Sequence, residues 1–184
     1  MRVITGKYRG KKLDFPTNGQ FRPTQDKVKE SIFNILGPQF CIELDVLDLF
    51  SGTGSLGIEA YSRGAQYVVC VEHKDRFLSK NVRLLGDPFD NTKIKPVRCK
   101  VSSYLSTCTD AFDLIFMDPP WDDEKAYANS LKRILASGII RNDGKVICLH
   151  RKSYVLPLEE LWDQSKYDYG DASVSVLIPR PLDG

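Results

Sequence analysis

From residue 45 onward, mostly apolar runs alternate with segments of helical period. Val46-Leu47-Asp48-Leu49-Phe50, Tyr67-Val68-Val69-Cys70-Val71, Ile94 to Cys99, Phe112 to Met117 and Lys145-Val146-Ile147-Cys148-Leu149 read as strands. Between them, the stretch through Ile58, Ala60 and Tyr61 to Arg63-Gly64, then Lys74 to Leu85, a short segment around Tyr104 and Leu105, and Lys125 to Ala136 read as helices. Strands apolar at nearly every position are buried on both faces, so the alternation predicts an α/β, Rossmann-like fold with a parallel sheet covered on both sides. The tail differs. Tyr167 and Ser173-Val174-Ser175-Val176-Leu177-Ile178 flank Gly170-Asp171, and the second run alternates, which predicts a closing antiparallel hairpin.

The first 40 residues follow another pattern. Two short runs, Arg2-Val3-Ile4 and Lys12-Leu13-Asp14-Phe15, are separated by Gly6 and Gly10 and closed by Pro16 and Gly19, as in a small hairpin. Thr24 is placed to cap a helix through Leu36, with Val28, Ile32, Phe33, Ile35 and Leu36 on the apolar face and Lys27, Lys29 and Glu30 facing out. Gly37-Pro38 stops it. No repeat or linker interrupts the 184 residues, so one domain is expected, with residues 1–40 as an extension and 41–184 as the α/β core.

Charge changes the picture more than composition does. At 42% hydrophobic and 27% charged the chain is ordinary globular material, without an apolar run long enough to span a bilayer. The beginning, Met1-Arg2-Val3-Ile4-Thr5-Gly6, lacks a long apolar segment and a cleavage site, so a cytoplasmic location is expected. Cys41, Cys70, Cys99, Cys108 and Cys148 are odd in number and form no C-x-x-C pair, as expected of reduced thiols. From Arg2 to Lys29, however, eight basic residues face only Asp14 and Asp26, whereas the rest holds 18 basic and 22 acidic residues. A basic arm (Arg2, Lys7, Arg9, Lys11, Lys12, Arg22) on a slightly acidic body fits a polyanionic partner. A solvated basic surface is the other reading.

Gly52-Thr53-Gly54-Ser55-Leu56-Gly57 matches G-x-G-x-x-G between a strand and a helix, with Glu72 at the end of the next strand, where it can bridge two ribose hydroxyls. A dinucleotide or S-adenosylmethionine would fit. A pyrophosphate favours a helix N-terminus without nearby acid. Asp48, just before the loop, favours the cationic ammonium and sulfonium of S-adenosylmethionine; a carboxylate satisfied by loop amides alone is the structural alternative.

A second constellation closes the fourth strand: Asp118-Pro119-Pro120-Trp121. The prolines lack N–H groups and fix their own φ, so the carbonyls here are held still as acceptors. Together with the acid they suit the two hydrogens of an exocyclic amine, and Trp121 offers a stacking face for the base that carries it. Asp122, Asp123 and Glu124 are placed to cap the following helix. His73 and His150 fall at strand ends without partners at metal-ligand spacing, so no metal site is expected. His73 could touch the cofactor's sugar or adenine. No Ser-His-Asp set or phosphate-binding P-loop is recognisable.

Asp48-Leu49-Phe50-Ser51-Gly52-Thr53-Gly54 with Asp118-Pro119-Pro120-Trp121 resembles a class I methyltransferase of the amino-methylating type. Adding Phe21 to Asn34, Arg2-Val3-Ile4-Thr5-Gly6-Lys7-Tyr8-Arg9-Gly10 and Tyr169-Gly170-Asp171, nearly the whole chain resembles the RsmD family, which methylates a guanine N2 amine of bacterial small-subunit (16S) ribosomal RNA. The resemblance implies a seven-stranded, mostly parallel sheet with its last strand antiparallel. It also implies an enzyme whose partner is ribosomal RNA or a partly assembled small subunit; a monomer is the default expectation. Asp48, Phe50, Ser51, Gly52, Gly54, Glu72, His73 and Asp118 would hold S-adenosylmethionine; Asp118, Pro119, Pro120 and Trp121 would present the base; the basic arm would hold RNA. An adenine-N6 DNA methyltransferase, a non-catalytic RNA-binding assembly factor and, more distantly, a dehydrogenase are the rivals.

One departure stands out. Many relatives place an acid after the third strand to meet the cofactor's adenine amine, but this chain reads Arg98-Cys99-Lys100-Val101-Ser102-Ser103, and Lys100 cannot accept a hydrogen bond. The Val101 backbone or Ser102 hydroxyl is expected to take that role, at lower affinity. Lys100→Asp should therefore tighten S-adenosylmethionine binding in isothermal titration; unchanged or weaker binding would refute the affinity argument.

Overall fold

A computed structural model describes residues 1–16, 24–86 and 93–180. Arg22 and the side chain of Thr24 lie outside them. The chain runs α1 (Thr24–Leu36), β1 (Asp45–Leu49), α2 (Ser55–Ser62), β2 (Tyr67–Val71), α3 (Leu78–Arg83), β3 (Ile94–Val97), α4 (Val101–Thr107), β4 (Phe112–Met117), α5 (Glu124–Ala136), β5 (Ile140–Arg151), β6 (Trp162–Tyr169) and β7 (Ala172–Pro179). The seven strands form one sheet in the order β3-β2-β1-β4-β5-β7-β6. Strands β1 to β5 pair in parallel, and β7 runs antiparallel to both β5 and β6.

Strand period explains the two cores. Alternate side chains of a strand leave on opposite faces. Val46, Leu114, Phe116 and Ile147 therefore meet Ile32 and Phe33 of α1 and Ile58 of α2 on one face. Leu47, Leu49, Ile115, Met117 and Cys148 meet Val101 and Leu105 of α4 and Tyr127, Leu131 and Ile134 of α5 on the other. Cys41, Cys70 and Cys148 are buried free thiols, as expected of a reduced chain.

The basic extension joins the first of these cores through Val3, Tyr8 and Leu13. Its hairpin is short: Arg2 bridges Lys12, the Val3 N–H donates to the Lys11 carbonyl at 2.9 Å, and the Leu13 N–H donates to Met1 at 3.0 Å. Glu59 of α2, fully buried, holds this hairpin down. Its carboxylate accepts the N–H groups of Ile4 (2.7 Å) and Thr5 (2.9 Å) and the Arg63 Nε (2.9 Å). Lys29 lies 3.6 Å from Glu59 and donates to the Arg2 carbonyl at 2.7 Å. It is only 3% exposed, so the outward position expected from helical periodicity is wrong. A buried acid across the packing interface draws the ammonium inward, although burial still lowers its pKa.

Other departures have local causes. The helix expected from Lys74 begins at Leu78, because Glu72 accepts the Lys74 N–H (2.8 Å) and Asp75 accepts the Ser79 N–H (2.9 Å), holding the chain in turns. β3 stops at Val97, whereas β5 extends over Ile140–Arg151 and β6 over Trp162–Tyr169. β6 is a polar edge strand exposed along most of its length, which hides it from a hydrophobic pattern while discouraging edge pairing.

Removing one member of a buried ion pair leaves the others uncompensated, a loss of about 3–5 kcal/mol. Glu59→Ala should lower unfolding free energy by an amount of that order in urea titration. A change below about 1 kcal/mol would show that the cluster does not anchor the arm.

Candidate active site

The parallel order changes direction between β1 and β4, and ligands of open α/β sheets bind beyond the carboxyl ends of strands at such a point. Leu49 of β1 pairs with Met117 of β4, so the two motifs leave the sheet side by side. They open into a cleft of about 2140 Å³ lined by Asp48, Phe50, Ser51, Gly52, Glu72 and His73 as well as by the whole Asp118–Trp121 corner.

The glycine loop is shaped by close approach. A Cβ on Gly57 would lie 2.4 Å from the Cys70 sulfur and 3.1 Å from the Asp48 carboxylate, so only glycine lets α2 lie so close to β1 and β2. Gly54 has φ 79°, and a Cβ there would fall 2.6 Å from Leu78 Cδ1. Phe50 occupies the left-handed region at φ 58°, a strained conformation of the kind that gathers at functional sites. The Gly54 N–H closes the turn onto the Ser51 carbonyl at 2.7 Å. The Ser51 hydroxyl is buried without a hydrogen-bond partner. Such an orphan beside the cleft suits a ligand with polar groups.

The acids that line the cleft are Asp48, Glu72, Asp118, Asp122, Asp123 and Asp171. Glu72 accepts the N–H groups of Gly52 (2.9 Å) and Lys74 (2.8 Å), which fixes its carboxylate at the rim, with lone pairs to spare for hydroxyls. Asp48 is 1% exposed and accepts the Gly57 N–H at 2.9 Å. Burial pushes its pKa up to about 8, opposed by the Gly57 bond and reinforced by Asp118 and Glu72. The loop-amide role of Asp48 and its place in the cleft wall thus coexist. The donor set of buried acid, fixed rim acid and orphan hydroxyl fits a cationic, ribose-bearing ligand such as S-adenosylmethionine.

At the corner, the Asp118 N–H lies 3.5 Å from the Leu49 carbonyl, tying the two loops together. The Pro120 carbonyl already accepts the Asp123 N–H (2.8 Å), which leaves it one lone pair. Asp123 caps α5, its side chain accepting from the Ala126 N–H. Asp122 does not join it; it pairs with Arg151 at 2.7 Å. Lys100, Val101 and Ser102 line the opposite side at the start of α4. His150 faces inward, its Nδ1 bonded with the Arg151 carbonyl and its Nε2 with Ser175, each at 2.8 Å, and burial lowers its pKa. It is a buried structural imidazole. Among the described residues no group of His, Cys, Asp or Glu could hold a metal ion, and no helix is long and apolar enough to cross a membrane.

The basic arm is only partly at the cleft. Arg2, Lys7, Arg9, Lys11 and Lys12 are exposed, but none lines it. The Lys7 N–H donates to Ser62 at the far end of α2, a helix of eight residues and so about 12 Å long. The lysines and arginines that do line the cleft are Lys27 and Lys29 of α1 together with Lys74, Arg76, Lys100, Arg151 and Lys152. Sequence reasoning singled out Lys100 and counted Lys27 and Lys29 in the basic run from Arg2, but missed Lys74, Arg76, Arg151 and Lys152, because they lie at or just beyond the ends of different strands that only the sheet brings together.

A family model described as conserved hypothetical protein 95 matches residues 1–178. YlbH of Bacillus subtilis, provisionally named an rRNA methyltransferase, is 32% identical over 98% of this chain and its own full length. Ribosomal RNA small subunit methyltransferase D of Escherichia coli is 34% identical over 66% of this chain and 60% of its own length. The chain belongs to the RsmD family. Among solved structures, the Escherichia coli protein YhhF, provisionally named a methyltransferase, is 25% identical and superposes over 99% of both chains with a TM-score of 0.82. The seven-stranded sheet with its antiparallel β7 is thus the architecture of this methyltransferase family.

Because Asp48 holds a proton in the folded protein that the unfolded chain releases, it favours folding below about pH 4, and that contribution is lost as pH rises toward about 8. Asp48→Asn removes the ionisation but keeps an oxygen for Gly57. Its melting temperature should gain on the wild type as pH rises through this window; parallel curves would contradict the buried, protonated state.

Proposed function

We propose that this protein transfers the methyl group of S-adenosylmethionine to the exocyclic N2 amine of a guanine in small-subunit (16S) ribosomal RNA. The observation that carries this reading is the meeting of the glycine loop and the Asp118–Trp121 corner in one cleft, their strands paired Leu49 to Met117. Family membership and relatives named for rRNA methylation support the nucleic-acid substrate.

Bound S-adenosylmethionine would supply an electrophilic methyl group. Asp48, Phe50, Ser51, Gly52 and Gly54 would hold its amino-acid end, Glu72 its ribose hydroxyls, and His73, Val101 and Ser102 its adenosine side. An aromatic amine is a poor nucleophile because its lone pair is delocalised into the ring, so orientation must do much of the work. The Asp118 carboxylate and Pro119 carbonyl would accept its two hydrogens and aim the lone pair, while Trp121 stacks the extruded base. Asp118 need not be a strong base. The amine becomes acidic only once methylated, and then loses a proton to the carboxylate or water. Arg2, Lys7, Arg9, Lys11, Lys12 and Arg22 would neutralise phosphates of the RNA or of a partly assembled subunit. We place the enzyme in the cytoplasm as a monomer.

The test incubates the protein and labelled cofactor with undermodified small-subunit RNA, naked and protein-bound, and with DNA. Label should appear as N2-methylguanine in RNA. Label in DNA, or no transfer, overturns the reading. Asp118→Ala should cut turnover by on the order of 10²–10³ while RNA affinity stays nearly intact; equal loss of both would make the corner structural.

A further inference from the structure

Arg151, the last residue of β5, holds its guanidinium carbon 5.9 Å from the centroid of the Trp121 ring. Two constraints keep it there. Its backbone is fixed by pairing with Ala172 of β7, and its Nη2 donates at 2.7 Å to Asp122, the chain neighbour of Trp121. Both ends of the contact are thus tethered, yet the Arg151 side chain is 51% exposed.

The spacing is informative. At 5.9 Å from the ring centroid the guanidinium carbon is within cation–π reach of the indole. A base held between the two planes needs about 7 Å between them, so the guanidinium must shift to admit it. The tether allows that, because exposed ion pairs are weak and rearrange easily. Arginine is suited to the position: its guanidinium is planar and weakly hydrated, and unstacked bases lie on such planes as they do on aromatic rings.

We propose that Trp121 and Arg151 are the two jaws of a base clamp, with the extruded base stacked between indole and guanidinium. The proposal rests on the reading of this cleft as a base-methylating site. Insertion places the base beside Asp118 and Pro119, three and two residues before Trp121. Asp122 serves as the hinge pin, keeping the guanidinium over the site before the base arrives.

The test separates plane from charge. Steady-state methyl transfer is measured on unmodified small ribosomal subunits with the wild type, Arg151→Lys, Arg151→Ala and Arg151→Tyr. Loss of one stacking face should lower kcat/KM for the particles by about tenfold in Arg151→Lys and Arg151→Ala. KM for S-adenosylmethionine and the melting temperature should stay at wild-type values, and Arg151→Tyr should recover most of the loss. Wild-type activity in Arg151→Lys, or Arg151→Tyr no better than Arg151→Ala, would overturn the clamp and leave a simple cationic contact. An inactive wild type would overturn the functional reading, and the clamp with it, whereas an active wild type matched by all variants overturns the clamp alone.

Discussion

Helix α2 can approach β1 and β2 only where Gly57 has no side chain, and the rest of the site follows from that approach. With a Cβ, residue 57 would collide with the Cys70 sulfur at 2.4 Å. Without one, its N–H reaches the buried Asp48 carboxylate, and the loop from Ser51 to Gly54 is drawn tight between strand and helix. The same helix carries Glu59 and Ser62, whose side chains accept backbone N–H groups of the N-terminal arm. One element therefore presents the cofactor-side loop at its first turn and anchors the basic hairpin along its remaining length. Asn81 adds a second tie, donating to the carbonyls of both Thr53 and Asp14 at 2.9 Å. Because interiors are close-packed and transmit strain, arm and loop behave as one body.

Parallel topology does the gathering. It sends the loops after β1, β2, β3, β4 and β5 to one edge of the sheet, and the β6–β7 hairpin adds Gly170 and Asp171 from the other direction. No single loop carries the chemistry. The first supplies amides and an orphan hydroxyl, the second an acid at the rim, the fourth an acid and a stacking face, and the fifth strand a planar cation.

This division explains what could be read from the chain. The glycine loop and the proline corner were legible because glycine and proline act on the backbone within a few residues, whatever the surrounding fold. The central strands were legible because burial on both faces leaves few polar positions, such as Asp48 and Asp113, to interrupt the apolar run. Lys29 was misplaced because helical period reports a face and not its neighbours, and a buried acid on α2 inverts the usual preference of lysine. β6 was nearly invisible because one edge strand exposes most of its residues. Arg151 was missed for a different reason: it lies thirty positions from Trp121, and only the β4–β5 pairing makes them neighbours.

Charge in the cleft changes with depth. Asp48 is buried, as is Lys29 beside Glu59; Glu72 and Asp118 are half-buried; and at the exposed rim Lys27, Lys74, Arg76, Lys100, Arg151 and Lys152 outnumber Asp122, Asp123 and Asp171. A polyanion meets the cations first, where water and salt screen each contact and binding energy is spread over many weak terms. A small cation that reaches the interior meets acids in a medium of lower dielectric, where each contact counts for more. The rim and the interior thus favour ligands of opposite sign. Asp48 holds its proton to about pH 8, since burial and two neighbouring acids disfavour its charge. A cation beside it would act in the opposite direction, favouring the Asp48 carboxylate that burial disfavours.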